Sequence, residues 1–364
     1  MLHFKKLFSL LSFWLFVGLT TALAQNPVAI TKAKQYYDKG EEAYSQEDYK
    51  EAVKWYRKAA ELGYATGQND LGHMYQNRLG VVQNYQKALK WYRKAIEQNH
   101  AMAQNNLGYM YHNGLGVTQN YQEAIKWYKK AIKQNNALGQ NNLGYMYQHG
   151  QGLTKNYLEA IKWFRKSAEQ NNALGQNNLG YMHQHGLGTT QNYNEAIKWF
   201  RKAAAQNHAL AQNNLGFMYQ DGLGVTQNYQ KALKWYRKAA KQGDDFAQNN
   251  LGYMYKHGLG VIQNHSVALK WFRLSAKQGN DSAQNQLGMM YEKGNIVTKS
   301  YKTAVKWYQK SAKQGNPSGQ YNLADMYEYG KGVAKNLSEA KKWYRKACDQ
   351  NDEDACKALK RLGN

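Results

Sequence analysis

Nine tryptophans stand 36 residues apart without a slip: Trp55, Trp91, Trp127, Trp163, Trp199, Trp235, Trp271, Trp307 and Trp343. A single packed core has no use for such a metre, because its positions face different surroundings. A stack of near-identical units does, since each unit sets one large side chain against the next. At 364 residues an ordinary chain would divide into about two domains. The repeat replaces that expectation with one array that grows by adding units. The 30 tyrosines suit such an array, which has a thin core and much surface.

With Ala101 as a unit start, the units fall at 65–100, 101–136 and onward in 36-residue steps to 317–352. Residues 25–64 read as an N-terminal cap, in which 31–64 form a shorter unit. Residues 65–352 read as eight repeats, and 353–364 as a C-terminal capping helix. Each repeat reads as two helices, such as 101–113 and 121–134. Asn120 stands where an N-cap is wanted, and Glu123 three residues later can complete a capping box. The pair recurs at Asn156/Glu159, Asn192/Glu195 and Asn336/Glu339. Second helices end at Asn or Gly, as at Asn135 and Gly243, which tolerate the left-handed conformation that closes a helix. A Gly-x-Gly loop such as Gly114-Leu115-Gly116 permits a tight reversal between the helices. Arg78 replaces the first of these glycines and Ile296 the second in two repeats, so both loops are expected to differ locally.

Leu71 to Leu323, Met74 to Met326 and Ala88 to Ala340 form series that never change across the eight repeats. Leu107, Met110 and Tyr111 share one face of the first helix, and Ala124, Tyr128 and Ala131 one face of the second. These are core positions. Gly108 and Ala124 are both small, so the two helices can approach closely.

The formal charge is +24, and +22 without Lys5 and Lys6. Most lysines recur at fixed positions, as in Lys126-Trp127-Tyr128-Lys129-Lys130, which places them on a solvated helix face. An anionic surface as partner stays open. Lys5 and Lys6 precede an apolar run from Leu7 to Leu19, followed by Ala22-Leu23-Ala24, an A-x-A cleavage pattern. Residues 1–24 are therefore expected to be a cleaved signal peptide, leaving the mature chain periplasmic or secreted. The apolar run is shorter than the ~20 residues a spanning helix needs, and no other segment could span a membrane. Export permits a disulfide between the two cysteines, Cys348 and Cys356.

The run Ala-x-x-Asn-Leu-Gly-x-Met-Tyr-x-x-Gly-x-Gly-Val, followed by Asn-Tyr-x-x-Ala-x-x-Trp-Tyr-x-Lys-Ala, resembles the Sel1-like repeat, a variant of the tetratricopeptide repeat. The resemblance covers residues 65–352 in eight copies. Residues 31–64 lack the Gly-x-Gly loop and look more like a plain tetratricopeptide repeat. The family implies an all-α, right-handed solenoid that scaffolds protein complexes, and its exported bacterial members include host-entry factors and periplasmic partners of cell-wall enzymes. A cysteine-rich branch carries Lys-Ala-Cys with a second Cys eight residues on. Lys346-Ala347-Cys348 and Cys356 fit that spacing, which implies a bridge from the last second helix to the terminal helix. Two free thiols are the alternative.

In such arrays the first helices line the concave face. By that likeness Met102, Asn105, Tyr109, His112 and Asn113 lie on it, with their equivalents Asn141, Tyr145, Asn177, Tyr181, Asn213, Phe217, Asn249 and Tyr253. Amides both donate and accept, which suits a peptide backbone, and aromatic rings add contact area at low entropy cost. The other reading of the amide row is structural, a ladder of hydrogen bonds between repeats.

Catalytic chemistry finds little support. No G-x-S-x-G elbow occurs, and Asp and Glu are few and mostly caps. The Gly-x-Gly loops lack the third glycine and preceding strand of a nucleotide fingerprint. His183 and His185 lack the further ligands that zinc wants. No catalytic residue, metal or cofactor is expected. The expectation is an exported monomeric scaffold that binds host or periplasmic cell-envelope proteins and no specific nucleic acid, a host-interaction or virulence factor among the options. The rivals are a β-lactamase-like or peptidoglycan-acting envelope enzyme, and a charge-driven binder of anionic lipid or glycan.

Overall fold

The computed structural model describes residues 27–363, which hold nineteen α-helices and no strand. The expected leader, with its Ala22-Leu23-Ala24 pattern, lies outside the described residues. Two compact units are present. One reaches Gly175 and includes Leu187–Thr189; the other comprises Gln176–Gly186 and Thr190 onward. Both follow one plan, an all-α solenoid of helix pairs.

Each repeat supplies a helix A and a helix B, as in Ala101–Asn113 and Tyr121–Lys133. Helix B starts where Asn120 Oδ1 accepts from the Glu123 backbone N–H at 3.0 Å, which satisfies one of the free donors of the first turn. The reciprocal half of the capping box does not form. Asn120 N–H instead donates to Tyr111 O at 2.9 Å, and the Glu123 carboxylate takes Lys126 Nζ at 2.9 Å. The first helix of the repeat thus occupies the donor that a capping box would use.

Helix A closes on Gly114, whose φ of 67° places it in the left-handed region. Arg78 adopts the same conformation at φ 61°, and Leu79 N–H still reaches Met74 O at 3.1 Å. The expected change in that loop is absent: the arginine accepts backbone strain and the hydrogen bonds hold. The Ile296 loop does differ. Ile296 stays out of the positive-φ region and packs with Val297 against a cluster that includes Leu269, Phe272 and Leu287. A β-branched residue resists the left-handed conformation, so the loop turns its side chain into the core.

The core lies between repeats. Ala124, Ile125 and Tyr128 from one helix B join Leu143 and Met146 from the next helix A, and Trp163 packs on their edge. Ala268, Leu269, Phe272 and Ala276 meet Ala283, Leu287 and Met290 in the same way, with Trp307 on the edge. No repeat buries its apolar face alone, which is why the metre must be kept. The tryptophans are half-buried. Their outer faces carry lysine: Lys130 Nζ lies 4.1 Å from the Trp127 ring centre and Lys202 Nζ 4.3 Å from that of Trp199.

Within a repeat, helices A and B touch through glycine. A Cβ on Gly108 would lie 2.8 Å from the Tyr128 ring, so in this repeat the glycine makes room for the buried ring, whereas the last repeat has Ala324 at that slot beside the buried Tyr344. Gln134 Nε2 donates to buried Gln104 Oε1 at 2.9 Å, and the same bond joins Gln242 to Gln212. Past the last helix B, Leu337–Cys348, Cys348 is bonded to Cys356 with Cα atoms 4.8 Å apart. The bridge fastens Glu353–Leu362, so the free-thiol alternative falls away. Arg361 adds an ion pair at 2.6 Å to Glu328, which is 4% exposed. Burial alone would raise the Glu328 pKa, but hydrogen bonds from Tyr344, Arg361 and Tyr329 outweigh it and hold it below the ordinary value.

Candidate interaction face

Helix A has a buried side set by Leu107, Gly108 and Met110, and a side turned to solvent. Positions 102, 109 and 113 fall on the latter by i, i+7 and i+11 spacing. Tyr109, Tyr145, Tyr181 and Tyr253 are 43%, 40%, 39% and 40% exposed, and Phe217 in the same series is half-buried. One helical turn beyond each tyrosine, in three repeats, stands a histidine. Ring centres are 4.2 Å apart for Tyr145–His149 and 4.3 Å for both Tyr181–His185 and Tyr253–His257. Burial pushes these histidines below their usual pKa, and Lys155 beside His149 and Lys256 beside His257 push the same way. Both effects favour the neutral imidazole, so these rings extend the aromatic surface of the tyrosines.

His112 is set deeper. Its Nδ1 lies 3.4 Å from Tyr128 Oη, and its ring stands edge-on to Tyr121. Burial lowers its pKa as well. His183 is buried, whereas His185 belongs to the exposed row. Among the described residues no group of His, Cys, Asp and Glu is arranged to hold a metal ion.

The amide row has a different placement. Asn105, Asn141, Asn177 and Asn213 are 4%, 5%, 2% and 7% exposed. Asn142 Nδ2 donates to Asn105 Oδ1 at 2.9 Å and Asn250 Nδ2 to Asn213 Oδ1 at 3.0 Å, each pair spanning two repeats. Asn105 Nδ2 in turn donates to its neighbour Asn106 at 3.2 Å. These bonds use the groups that a bound peptide backbone would need. The structural ladder, the alternative left open by the sequence, accounts for the row. It breaks once. Gln286 replaces the usual Asn and accepts from Lys256 Nζ at 2.8 Å, and Asn249 Oδ1 is left buried without a partner.

A second exposed series accompanies the tyrosines, seven residues earlier on each helix A: Met102, Leu138, Leu174, Leu210 and Phe246. Leu174, Leu210 and Phe246 are exposed and the other two half-buried. The sequence reading reached only its first member; an apolar residue recurring at the 36-residue period and aligned with the tyrosine slot was the available signal. Both series stop at the same repeats. The two slots hold Thr66 and His73 before them, then Ser282 and Met289, then Ser318 and Asp325 after them. The N-terminal unit therefore carries Met102, Tyr109, Leu138, Tyr145 and Leu174, and the C-terminal unit Tyr181, Leu210, Phe217, Phe246 and Tyr253.

One motif that the sequence reading passed over needs placing. Ser338-Glu339-Ala340-Lys341 has the S-x-x-K spacing of penicillin-recognising enzymes. Ser338 is exposed in the first turn of its helix, and Lys341 Nζ donates to Gly363 O instead of facing the hydroxyl.

The chain matches the Sel1 repeat over residues 22–64 and then over eight consecutive blocks from 65–100 to 317–352. The first match takes in the segment that the sequence set apart as tetratricopeptide-like. Among solved structures, a protective antigen present in uropathogenic Escherichia coli strains and displaying an SLR fold is 35% identical. The match covers 91% of this chain and 79% of that one, with a TM-score of 0.53. A Sel1 repeat protein from Oxalobacter formigenes is 30% identical over 85% of this chain and 90% of that one, with a TM-score of 0.58. No curated protein matches the sequence.

Proposed function

The chain belongs to the Sel1 repeat family, whose proteins generally mediate protein–protein interaction, and on that premise we propose that it is a non-enzymatic scaffold holding a partner protein on its helix A face. The observation that carries this reading is the set of exposed aromatic and apolar residues that each unit carries on its A helices. It occupies repeats 101–280; the two slots hold Thr66 and His73 before them, and Ser282 with half-buried Met289, then Ser318 with Asp325, after them. Exposed large apolar groups in register are costly to leave in water and mark contact surfaces. Tyrosine is enriched among the residues that dominate binding energy.

The same proposal takes the protein as exported. The support is the run Leu7–Leu19 followed by Ala22-Leu23-Ala24, together with the likeness to an antigen of a pathogenic bacterium, which favours a host-facing or envelope partner. N-terminal sequencing of the native protein should start near Gln25; an intact Met1 would reject the export reading.

The binding reading is tested by pull-down from envelope and host lysates, followed by affinity measurement on the captured partner. Tyr145→Ala, Tyr181→Ala and Tyr253→Ala together should weaken binding about a hundredfold or more without lowering the melting temperature. Asn105→Ala with Asn213→Ala should do the opposite. Each leaves an amide of Asn142 or Asn250 unpaired, at a cost of ~1–3 kcal/mol, and partner contact stays intact. If the tyrosine variant binds as the parent does, the face is not the binding site.

A further inference from the structure

Three successive B helices of the C-terminal unit, Tyr229–Lys241, His265–Lys277 and Tyr301–Lys313, contain twelve Lys and Arg and not one Asp or Glu. All twelve are exposed, and among the described residues none is in an ion pair. In four other B helices the array damps this charge. Glu123, Glu159, Glu195 and Glu339 each hold the lysine three residues on at 2.9 to 3.2 Å. In the three acid-free helices the first-turn glutamate is replaced by Lys231, Val267 and Thr303, so the field is undiluted.

At the middle of this field the pattern changes. Leu274 takes the slot that lysine fills in the other seven repeats and, as Lys58, in the N-terminal cap. It is 49% exposed and stands one turn past Trp271. The neighbouring helices keep their lysines, with Lys238 Nζ 4.9 Å from the Trp235 ring centre and Lys310 Nζ 4.5 Å from that of Trp307. The third helix also bears a shallow hollow of about 380 Å³ lined by Thr303, Lys306, Trp307, Gln309, Lys310 and Lys313.

We propose that this face docks on an anionic phospholipid bilayer, its cations against the headgroup phosphates and Leu274 with Trp271 entering the headgroup boundary. Polybasic surfaces are drawn to an anionic leaflet. Charge combined with an exposed apolar group, on a face with an interfacial tryptophan, is the composition that seats a protein at that boundary. A single-stranded nucleic acid would need bare aromatic faces on which bases stack, and ammonium groups cover Trp235 and Trp307. A soluble polyanion would gain nothing from Leu274. This surface is separate from the helix A face, so the scaffold reading does not depend on it.

The test is co-sedimentation of the chain from Gln25 onward with phosphatidylcholine vesicles containing about 30% phosphatidylglycerol at about 0.1 M salt. Binding is expected to be strong, and absent with pure phosphatidylcholine. Lys234→Glu, Lys238→Glu, Lys270→Glu and Lys306→Glu together should weaken it at least about tenfold. The equal charge change at Lys129, Lys130, Lys133 and Lys166 should cost less than about threefold. Leu274→Lys is decisive, because it adds a charge and removes the apolar group on an exposed, fold-neutral position. Weaker binding supports docking at the bilayer. Stronger binding means charge attraction alone and overturns the proposal. It also falls if the four-lysine variant loses heparin binding while vesicle binding is unchanged, since the occupant is then a soluble polyanion.

Discussion

Gly152→Val is expected to destabilise the N-terminal unit by about 3–5 kcal/mol, read as a shift of the urea midpoint by far-UV circular dichroism. Gly152 is the second glycine of its loop, with φ at 67°. Its Cβ would lie 2.5 Å from Tyr121 Cβ and 3.3 Å from Ile125 Cδ1, both in the preceding repeat. Gln122 Nε2 donates to Gly152 O at 2.7 Å across the same seam. A β-branched residue therefore meets both a disfavoured backbone region and a neighbour with no room to retreat. Gly150, the first glycine, is different. A Cβ there meets atoms of its own loop alone, Lys155 Cβ at 3.2 Å, Lys155 N at 3.4 Å and Leu153 O at 3.5 Å, and Arg78 shows that a side chain can hold the equivalent conformation. Gly150→Asn should cost about 1 kcal/mol or less, because Asn tolerates the left-handed region. Equal costs at the two glycines would mean that the second one only turns the chain and does not seat one repeat on another.

Phe200→Ala should cost about 3–5 kcal/mol by lost transfer energy and the cavity left behind. Phe200 is fully buried, and its ring lies flush on Gly180, where a Cβ would come within 2.7 Å of Cε1. The hole cannot be closed by Gly180, which has no side chain to move. Phe217→Ala, on the solvent side of helix A, should cost about 1 kcal/mol and act on partner affinity instead. Hydrogen exchange should localise the Phe200→Ala effect to its own and adjacent repeats, since a solenoid couples through nearest neighbours. A protein that melts as one block, with protection lost everywhere at once, would contradict that nearest-neighbour account.

Much of this was legible along the chain. The invariant Leu, Met and Ala series are buried as their periodicity demanded. The N-cap asparagines work as caps, because a cap is a contact over three residues. Legibility failed where a group had two possible partners. Glu123 could complete a capping box or hold Lys126, and the choice depended on Tyr111 O arriving from the other helix. Asn105 could face a ligand or Asn142, and the close approach of successive A helices decided it. Arg78 and Ile296 were both expected to alter their loops. An arginine can enter the left-handed region at moderate cost, but a β-branched isoleucine cannot, so only the second loop moved.

The sequence by itself determined the family, the helix pair, the 36-residue register and the buried slots, because a repeated unit prints its inside and outside at fixed positions. It also implied the cysteine pairing through its likeness to one branch of that family. Tertiary structure alone decided which polar groups were already spent on other repeats. That choice removed the asparagines from the candidate surface and left the Tyr109 and Met102 series, which the sequence had placed beside them. It also decided that the second loop glycine seats one repeat on another, and that twelve cations around Leu274 stand exposed and unpaired. A hydrogen bond or a clash between residues 30 or more positions apart is a matter of distance in space. Periodicity sets which residues come near each other, but not which of them meet.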